Sequence, residues 1–324
     1  MISTPQELRA MTSDLGASVW TASALGALLE SGLVEHLREP CSVDDLASRC
    51  PAFTRAQIDR LLGVAEAVGV VVAEGSSRRL APGALPFTQP PMSIALAGDL
   101  RTTLMQALSL LDRARSREKL EGWKHVDAAV LQSQGEASMA LAGMVKNVLP
   151  ELDDLGATLA RAGASFLDVG VGVGALAIAM CRAFPELRVV GVDNFDAPLA
   201  LARKNVAEAK LDARIELRKT AAGDLADEAA FDLAWVPTFF VRDAAPVARR
   251  VLSALRPGGW VLFGAGGSSG DARRRAVWSL IDELSGGASL ACADAEGILR
   301  DAGFTSVRTL PGPEWAPSLV VGRR

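Results

Sequence analysis

The segment from Leu167 to Gly174, which reads Leu-Asp-Val-Gly-Val-Gly-Val-Gly, constrains the fold more than any other part of the chain. It begins in a short apolar run, Phe166–Val169, that predicts a buried strand, and it leads into a helical segment over Ala175–Phe184. Glycines permit a tight turn and close approach of a ligand, and free amide groups at a helix start can face an anionic group. The order strand, glycine-rich turn and helix therefore predicts a nucleotide-type binding site built on Gly170, Gly172 and Gly174.

The rest of the C-terminal half alternates between predicted strands and helices. Further strands are expected over Arg188–Asp193, Arg214–Arg218, Phe231–Val236 and Trp260–Phe263, with helices over Pro198–Lys210 and Ala244–Leu255. A helix capped by Asp271 and a hairpin of Ser306–Leu310 with Leu319–Gly322 close the chain. Strands that alternate with helices form parallel sheets through right-handed crossovers. The expected fold class is therefore α/β, with a Rossmann-like sheet.

Two cofactors fit the glycine-rich turn. Gly170, Gly172 and Ala175 have the G-x-G-x-x-G/A spacing of dinucleotide-binding proteins. Asp193 ends the next predicted strand, where a carboxylate can bind the hydroxyl groups of a ribose. Asp168, however, precedes the first glycine, and its charge would repel the pyrophosphate of a dinucleotide. An NAD-dependent oxidoreductase is therefore kept as an alternative.

The string D-x-G-x-G-x-G over Asp168–Gly174 resembles motif I of the class I S-adenosylmethionine-dependent methyltransferases. Three later segments are similar to that family in the same order, the last of them containing the Pro-Gly-Gly turn into strand five: Val190–Asp193, Phe231–Trp235 and Leu255–Leu262. The resemblance covers residues 156–324 and implies a mostly parallel seven-stranded sheet whose reversed last strand lies in the C-terminal hairpin.

The same resemblance implies the cofactor, S-adenosylmethionine, and its contacts. In the family, the acidic residue at the position of Asp168 helps to hold the ammonium group, and Asp193 is placed to bind the ribose. Asp224 follows the third strand and either lies near the adenine amino group or caps its own turn. The remaining cofactor-binding candidates are Asn194, Phe195 and Trp235, with Phe195 alternatively part of the core.

The N-terminal part is predicted to be a small helical domain with a β-wing. Helices are expected over Ser18–Leu37, after the N-cap Ser42 and over Arg55–Val68, followed by a wing around Gly75–Arg79. This order is typical of winged-helix domains, and the layout resembles small-molecule O-methyltransferases of plants and bacterial natural-product pathways, in which that domain builds a dimer. A linker is expected at residues 83–91, and further helices over Ser93–Leu120 and Gln134–Leu149. The expected domains are a winged-helix-like dimerisation domain at 1–90, a helical substrate-lining segment at 91–155 and the methyltransferase domain at 156–324.

A winged helix also permits DNA binding, so a transcription regulator with a vestigial methyltransferase domain is a further alternative. The net charge of −4 gives no electrostatic footprint for nucleic acid.

No apolar run suits a membrane span or a signal peptide. Four cysteines without CxxC spacing suit free thiols in the cytoplasm, and two histidines exclude a multi-histidine metal site. The expected protein is a cytoplasmic homodimer without metal, nucleic acid or membrane partners.

Sequence reasoning leaves the catalytic base open. O-Methyltransferases of this layout typically have a histidine just after strand four, but the matching stretch Trp235–Asp243 contains none. A hydroxyl nucleophile usually needs a base, so the options are His125, Asp243, or a nucleophile that needs no strong base. The apolar stretch favours a small, flat or largely apolar substrate. The expected substrate-lining residues are Trp20, Trp123, Phe239 and Phe240.

Overall fold

The computed structural model describes residues 2–117, 125–266, 271–288, 290–310, 312 and 318–324. The chain divides into two compact units, Met1–Asp112 and Arg113–Arg324. The finer division into functional segments at residues 90 and 155 stays a prediction.

The N-terminal unit is mainly helical and contains a small antiparallel sheet with the strand order β1-β3-β2. Its elements are α1 (Pro5–Glu30), α2 (Leu33–His36), β1 (Cys41–Ser42), α3 (Val43–Arg49), α4 (Arg55–Ala67), β2 (Val71–Glu74), β3 (Ser77–Leu80), a 3₁₀ helix over Pro82–Thr88, and α5 (Met92–Ser116), which continues past the unit boundary. Ser42 and Thr54 cap α3 and α4 through their side chains, as the sequence predicts. The core of this unit consists of aliphatic side chains that include Leu28, Leu37, Leu46, Ile58 and Leu62.

The predicted bounds of the first helix in this unit are wrong. The first helix begins at Pro5 rather than Ser18, because Thr4 and Glu7 form a reciprocal capping box. It ends at Glu30, and Gly32, with a φ of 72°, breaks the chain direction before the short α2. The segment predicted as a linker at residues 83–91 overlaps a 3₁₀ helix, Pro82–Thr88, and its role as a linker stays a prediction.

The C-terminal unit is built on a seven-stranded sheet, as expected for the α/β fold class. Its elements are α6 (Ala128–Ser138), α7 (Ala140–Val148), α8 (Leu155–Ala160), β4 (Ser165–Val169), α9 (Ala175–Ala183), β5 (Arg188–Asp193), α10 (Asp196–Glu208), β6 (Ile215–Lys219), β7 (Phe231–Pro237), α11 (Ala244–Ala254), β8 (Leu255–Ala265), α12 (Ala272–Leu284), α13 (Cys292–Ala302), β9 (Thr305–Leu310) and β10 (Ser318–Arg323), with 3₁₀ turns at Leu149–Glu151, Ala222–Asp224 and Thr238–Phe240.

The single helix predicted over Gln134–Leu149 is wrong, because the structure has two helices there. The carboxylate of Asp127 accepts hydrogen bonds from the amides of Ala129 and Val130, so α6 begins earlier than predicted. The chain then starts a separate helix, α7, at Ala140. The fifth strand of the predicted sheet, β8, is also longer than Trp260–Phe263.

The strand order is β6-β5-β4-β7-β8-β10-β9; the first five strands pair in parallel, and β10 runs antiparallel to both β8 and β9. The carboxyl ends of the five parallel strands therefore lie along one edge of the sheet. The order of the strands along the sheet reverses between β4 and β7, and such a switch point forms a crevice in which ligands bind. The register places Asp168 of β4 between Gly191 of β5 and Trp235 of β7.

The opposite edge of the sheet is held by an ion-pair cluster around Asp232. This carboxylate is 4% exposed, and it pairs with Arg161 at 3.1 Å and with Arg256 at 2.5 Å. It also accepts a hydrogen bond from the amide of Ser165 at 2.9 Å. Asp232 is therefore a fully paired buried carboxylate, which contrasts with the one at the switch point.

Candidate active site

The glycine-rich turn connects β4 to α9 at the switch point. Gly170, Gly172 and Gly174 have φ angles of 70°, 55° and 80°, in the left-handed region that other residues rarely adopt. The amides of Gly170 and Val171 both donate to the carbonyl of Val192, at 2.8 and 3.0 Å, which fixes the turn to the end of β5. The strand, turn and helix therefore have the order and the backbone geometry that the sequence predicts.

Asp168 is buried directly beneath this turn. Its side chain is 2% exposed, and one carboxyl oxygen, Oδ2, has no hydrogen-bond partner in the described part of the chain. Burial, and secondarily the charge of Asp193, raises the pKa of Asp168 to about 8. A buried carboxyl group with an unpaired oxygen is unfavourable on its own, and a cationic ligand would satisfy it.

Asp193 lies at the end of β5 and holds two loops together. Its Oδ2 accepts a hydrogen bond from the amide of Gly172, and its Oδ1 accepts one from the amide of Phe195, both at 3.0 Å. Burial raises the pKa of Asp193, although hydrogen bonds from backbone amides act in the opposite direction. The carboxylate is thus held between the glycine-rich turn and the start of α10.

The other predicted cofactor residues lie after the strands at the same edge. Asn194 and Phe195 are exposed, and the Phe195 ring, 44% exposed, is not part of the core. Asp224 is exposed at the end of its 3₁₀ turn. Their side chains are therefore available to a ligand at this edge.

An aromatic cluster follows β7. Trp235 is 5% exposed, and the rings of Phe239 and Phe240 meet edge to face with centroids 5.0 Å apart. Gly264 of β8 leaves room for this cluster, because a Cβ there would lie 2.5 Å from Cη2 of Trp235 and 3.2 Å from Cε1 of Phe239. The Thr238 hydroxyl donates to the Gly264 carbonyl at 2.5 Å. The loop that lacks a histidine is therefore a packed, mainly aromatic surface.

The remaining candidates lie in different surroundings. Asp243 is exposed and caps α11, since its Oδ1 accepts from the amide of Ala245 at 3.3 Å. His125 is partly buried. Burial, and to a smaller extent the charge of Arg113, lowers the pKa of its imidazole, whereas the charge of Asp127 acts to raise it. Trp20 belongs to the N-terminal unit and is 78% exposed on α1. Trp123 lies outside the described residues.

Sequence reasoning missed three residues beside the glycine-rich turn. Gly135 of α6 packs against Val173, which lies between the second and third glycines, and Asn205 of α10 bonds to the Val173 carbonyl and to Gln132 of α6. A glycine inside an otherwise helical pattern marks a close approach, so Gly135 carried a signal of this contact. The periodicity of the chain does not indicate that Val173 is the residue that Gly135 contacts.

The residues at the switch point fit S-adenosylmethionine. The orphaned oxygen of Asp168 suits an ammonium group, Asp193 suits vicinal hydroxyls, and the left-handed glycines let the backbone approach the ligand. A dinucleotide fits less well, because its pyrophosphate would lie near the Asp168 carboxyl. No group of three or more metal-ligating side chains is found among the described residues.

Comparison with known proteins agrees with this geometry. Residues 166–259 match the family described as a methyltransferase domain. The S-adenosylmethionine-dependent methyltransferase SibL has a similar structure, with a TM-score of 0.62 and 24% identity, covering 98% of this chain and 99% of that one. The pyocyanin biosynthetic protein PhzM aligns with a TM-score of 0.66 and 17% identity, covering 99% of this chain and 100% of that one.

Human N-acetylserotonin methyltransferase, solved in complex with S-adenosylmethionine, aligns with a TM-score of 0.60 and 18% identity over 100% of this chain and 99% of that one. A search of curated sequences finds no match. Residues 166–259 thus match a methyltransferase domain, and the chain shares the fold of these S-adenosylmethionine-dependent methyltransferases. None of the helices in the described ranges is long and apolar enough to cross a membrane.

Proposed function

We propose that this enzyme transfers a methyl group from S-adenosylmethionine to an oxygen of a small, largely apolar molecule of secondary metabolism. The observation that carries the cofactor part is the unpaired Oδ2 of Asp168 beneath the glycine-rich turn. The acceptor part is supported by the aromatic cluster beside it and by the fold shared with O-methyltransferases. The four free cysteines support a cytoplasmic location for this proposal.

Each cofactor contact has a proposed residue. Asp168 holds the ammonium group, Asp193 holds the ribose hydroxyls, and the exposed Phe195 ring together with Asn194 lies against the adenine. Asp224 is placed near the same base. Bound at this site, the cofactor supplies an electrophilic methyl group on a sulfonium. The protein then has to align the acceptor with that methyl group, and alignment of two reactants can account for a large part of such a rate enhancement.

The acceptor is proposed to lie against Trp235, Phe239 and Phe240. These side chains exclude water and offer no strong base. Asp243 is engaged as the cap of α11, so we do not expect it to take the acceptor's proton. A lowered pKa leaves the His125 imidazole neutral at pH 7 and able to accept a proton, but alignment and desolvation by the aromatic cluster are proposed to be the main contributions.

Transfer of a labelled methyl group to a panel of phenols and hydroxylated heteroaromatic compounds tests this function. We expect incorporation into the phenols, with S-adenosylhomocysteine as the second product. In parallel, the protein is titrated with DNA fragments at several salt concentrations. Specific, salt-dependent DNA binding without any methyl transfer would favour the regulator alternative instead.

A homodimer built through α1 is part of the proposal. Every residue from Pro5 to Trp20 is exposed in the single chain. Apolar side chains recur on this part of α1 at helical spacing, each 40–54% exposed: Leu8, Met11, Leu15 and Val19. The stripe leads to an open apolar groove of about 480 Å³ between α1 and α4, lined by residues that include Trp20, Phe53 and Leu61. A projecting apolar helix face of this kind is expected to be covered by a second copy of the chain.

Light scattering on the purified protein tests the dimer. We expect the mass of two chains for the wild type, a single chain for Leu15→Glu, and no change for Ser13→Glu on the opposite face of the helix. A monomeric wild type at micromolar concentration would refute this part of the proposal without affecting the methyl-transfer part.

A further inference from the structure

The helix α6 lies against the glycine-rich turn at a point where neither has room for another atom. A Cβ at Gly135 would lie 2.1 Å from Cγ2 of Val173. The Val173 side chain is 1% exposed and occupies the space that a side chain at Gly135 would need. Because Val173 lies between Gly172 and Gly174, this contact acts on the centre of the turn.

A hydrogen-bond bridge reinforces the contact. The side-chain amide of Asn205, on α10, donates to the carbonyl of Val173 at 2.9 Å and to Oε1 of Gln132, on α6, at 3.0 Å. Gln132 donates in turn to Oε1 of Glu136 at 3.0 Å, which fixes the orientation of its amide. Both donors of the Asn205 amide are therefore used, one on the turn and one on α6.

The bridge joins three parts of the proposed site. The helix that carries Asn205 begins three residues after Asp193, the proposed ribose ligand. The helix that carries Gln132 is capped by Asp127, two residues after His125. The far side of the turn is already held by the bond from the Gly172 amide to Asp193. The turn is thus held by Asp193 on one side and by α6 on the other.

We propose that Asn205 is a positioning residue of the methyl-transfer site, which locks Val173 of the glycine-rich turn to Gln132 and thereby couples cofactor binding to the order of α6. The proposal rests on the proposed function, since it takes S-adenosylmethionine as the ligand of the turn. Its consequence is that a filled turn steadies α6 and the His125 segment before it, and that an ordered α6 in turn favours cofactor binding, since coupling between two sites is reciprocal.

The first test measures S-adenosylmethionine affinity by calorimetry for Asn205→Ala, Asn205→Asp and Gln132→Ala. Asn205→Asp keeps the size of the side chain but removes both donors. We expect each Asn205 variant to bind about tenfold more weakly, the loss that one hydrogen bond accounts for, and Gln132→Ala to lose less. Lys204→Ala is the matched control, since Lys204 is exposed on the same helix and pairs only at 3.8 Å with Glu208; its affinity should be unchanged.

The second test separates positioning from simple stabilisation. Hydrogen exchange is followed over residues 128–138 with and without saturating S-adenosylmethionine. In the wild type we expect the cofactor to protect both the turn and α6. In Asn205→Ala, saturating cofactor should still protect the turn but should no longer protect α6, because the bridge is gone.

Gly135→Ala offers an independent variant with a glycine control. Alanine favours a helix over glycine by about 1 kcal/mol, so Gly143→Ala in α7, where a Cβ meets nothing within 4 Å, should stabilise the protein and leave binding unchanged. Gly135→Ala should instead weaken cofactor binding, because α6 has to move away from Val173.

The outcomes distinguish this proposal from the proposed function. A wild type that fails to bind S-adenosylmethionine refutes the function itself. A wild type that binds, together with an Asn205→Ala variant that keeps both wild-type affinity and cofactor-dependent protection of α6, refutes the positioning role alone. A lower melting temperature accompanied by unchanged affinity and unchanged protection would also overturn it, because the bridge would then be merely structural.

Discussion

Replacing Asp168 with asparagine should make the cofactor-free protein more stable and the cofactor complex weaker. The native carboxyl has a pKa of about 8, whereas an aspartate in an unfolded chain has one of about 3.9. Between these values the native state holds a proton that the unfolded state has lost. Raising the pH therefore favours unfolding. The destabilisation caused by the Asp168 carboxyl group increases from pH 4 and levels off near pH 8.

The size of this effect follows from the difference between the two pKa values. Each tenfold change in an ionisation constant corresponds to about 1.4 kcal/mol, so the loss reaches at most about 6 kcal/mol above pH 8 and about half of that near pH 6. Asparagine cannot ionise, so Asp168→Asn removes this loss of stability. The net gain is smaller by about 1–3 kcal/mol, because the side-chain amide of the asparagine stays unpaired. The gain in stability of Asp168→Asn over the wild type should therefore be absent at pH 4 and clear at pH 8.

Urea unfolding at a series of pH values measures this gain. The matched control is Asp232→Asn at the opposite edge of the sheet, a buried carboxylate that pairs with Arg161 and Arg256. Breaking that cluster should destabilise the protein by about 3–5 kcal/mol. If Asp168→Asn is destabilising at pH 8, or if its effect does not vary with pH, the reasoning about the unpaired carboxyl group is wrong.

Three further outcomes are expected. Asp193→Ala should weaken S-adenosylmethionine binding by about 1.5–3 kcal/mol in calorimetry, the loss expected for hydrogen bonds to a charged group; unchanged affinity would remove Asp193 from the site. Because the ammonium group of the ligand needs the ionised carboxylate, wild-type affinity should rise as the pH increases from about 6 towards the pKa of Asp168 at about 8, with proton release at pH 7 visible in buffers of different ionisation heat; a flat profile over this range would contradict this. In single-turnover methyl transfer, Phe239→Ala should lose more activity than His125→Ala, whereas a loss of about 100- to 10,000-fold at His125 would identify it as a general base.

The strand, glycine-rich turn and helix of the C-terminal unit were predictable because their determinants are local. Glycines at alternate positions after a short apolar run indicate a strand followed by a tight turn, so the sequence alone placed Asp168 and Asp193 around the glycine-rich turn. The start of α1 was equally local, since Thr4 and Glu7 form the T-x-x-E pattern of a capping box. The apolar residues of the first turns of α1, such as Leu8 and Met11, are exposed in the single chain, so no core contact marks this start.

The contacts that sequence reasoning missed are long-range. Gly135 and Val173 are separated along the chain by the whole of α7, α8 and β4, and their fit depends on side-chain volume rather than on periodicity. The bond between Asn205 and the Val173 carbonyl likewise depends on how two helices pack beside the turn. The raised pKa of Asp168 follows from burial and from the nearby charge of Asp193, which only the assembled sheet establishes.

A crystal structure of the protein with S-adenosylhomocysteine tests the central claim most directly. The ligand should occupy the crevice at the carboxyl ends of β4 and β5, with its amino group hydrogen-bonded to Asp168 and its ribose hydroxyls to Asp193. A complex in which the ligand lies away from the glycine-rich turn, or in which Asp168 Oδ2 stays unpaired, would contradict the assignment of this site.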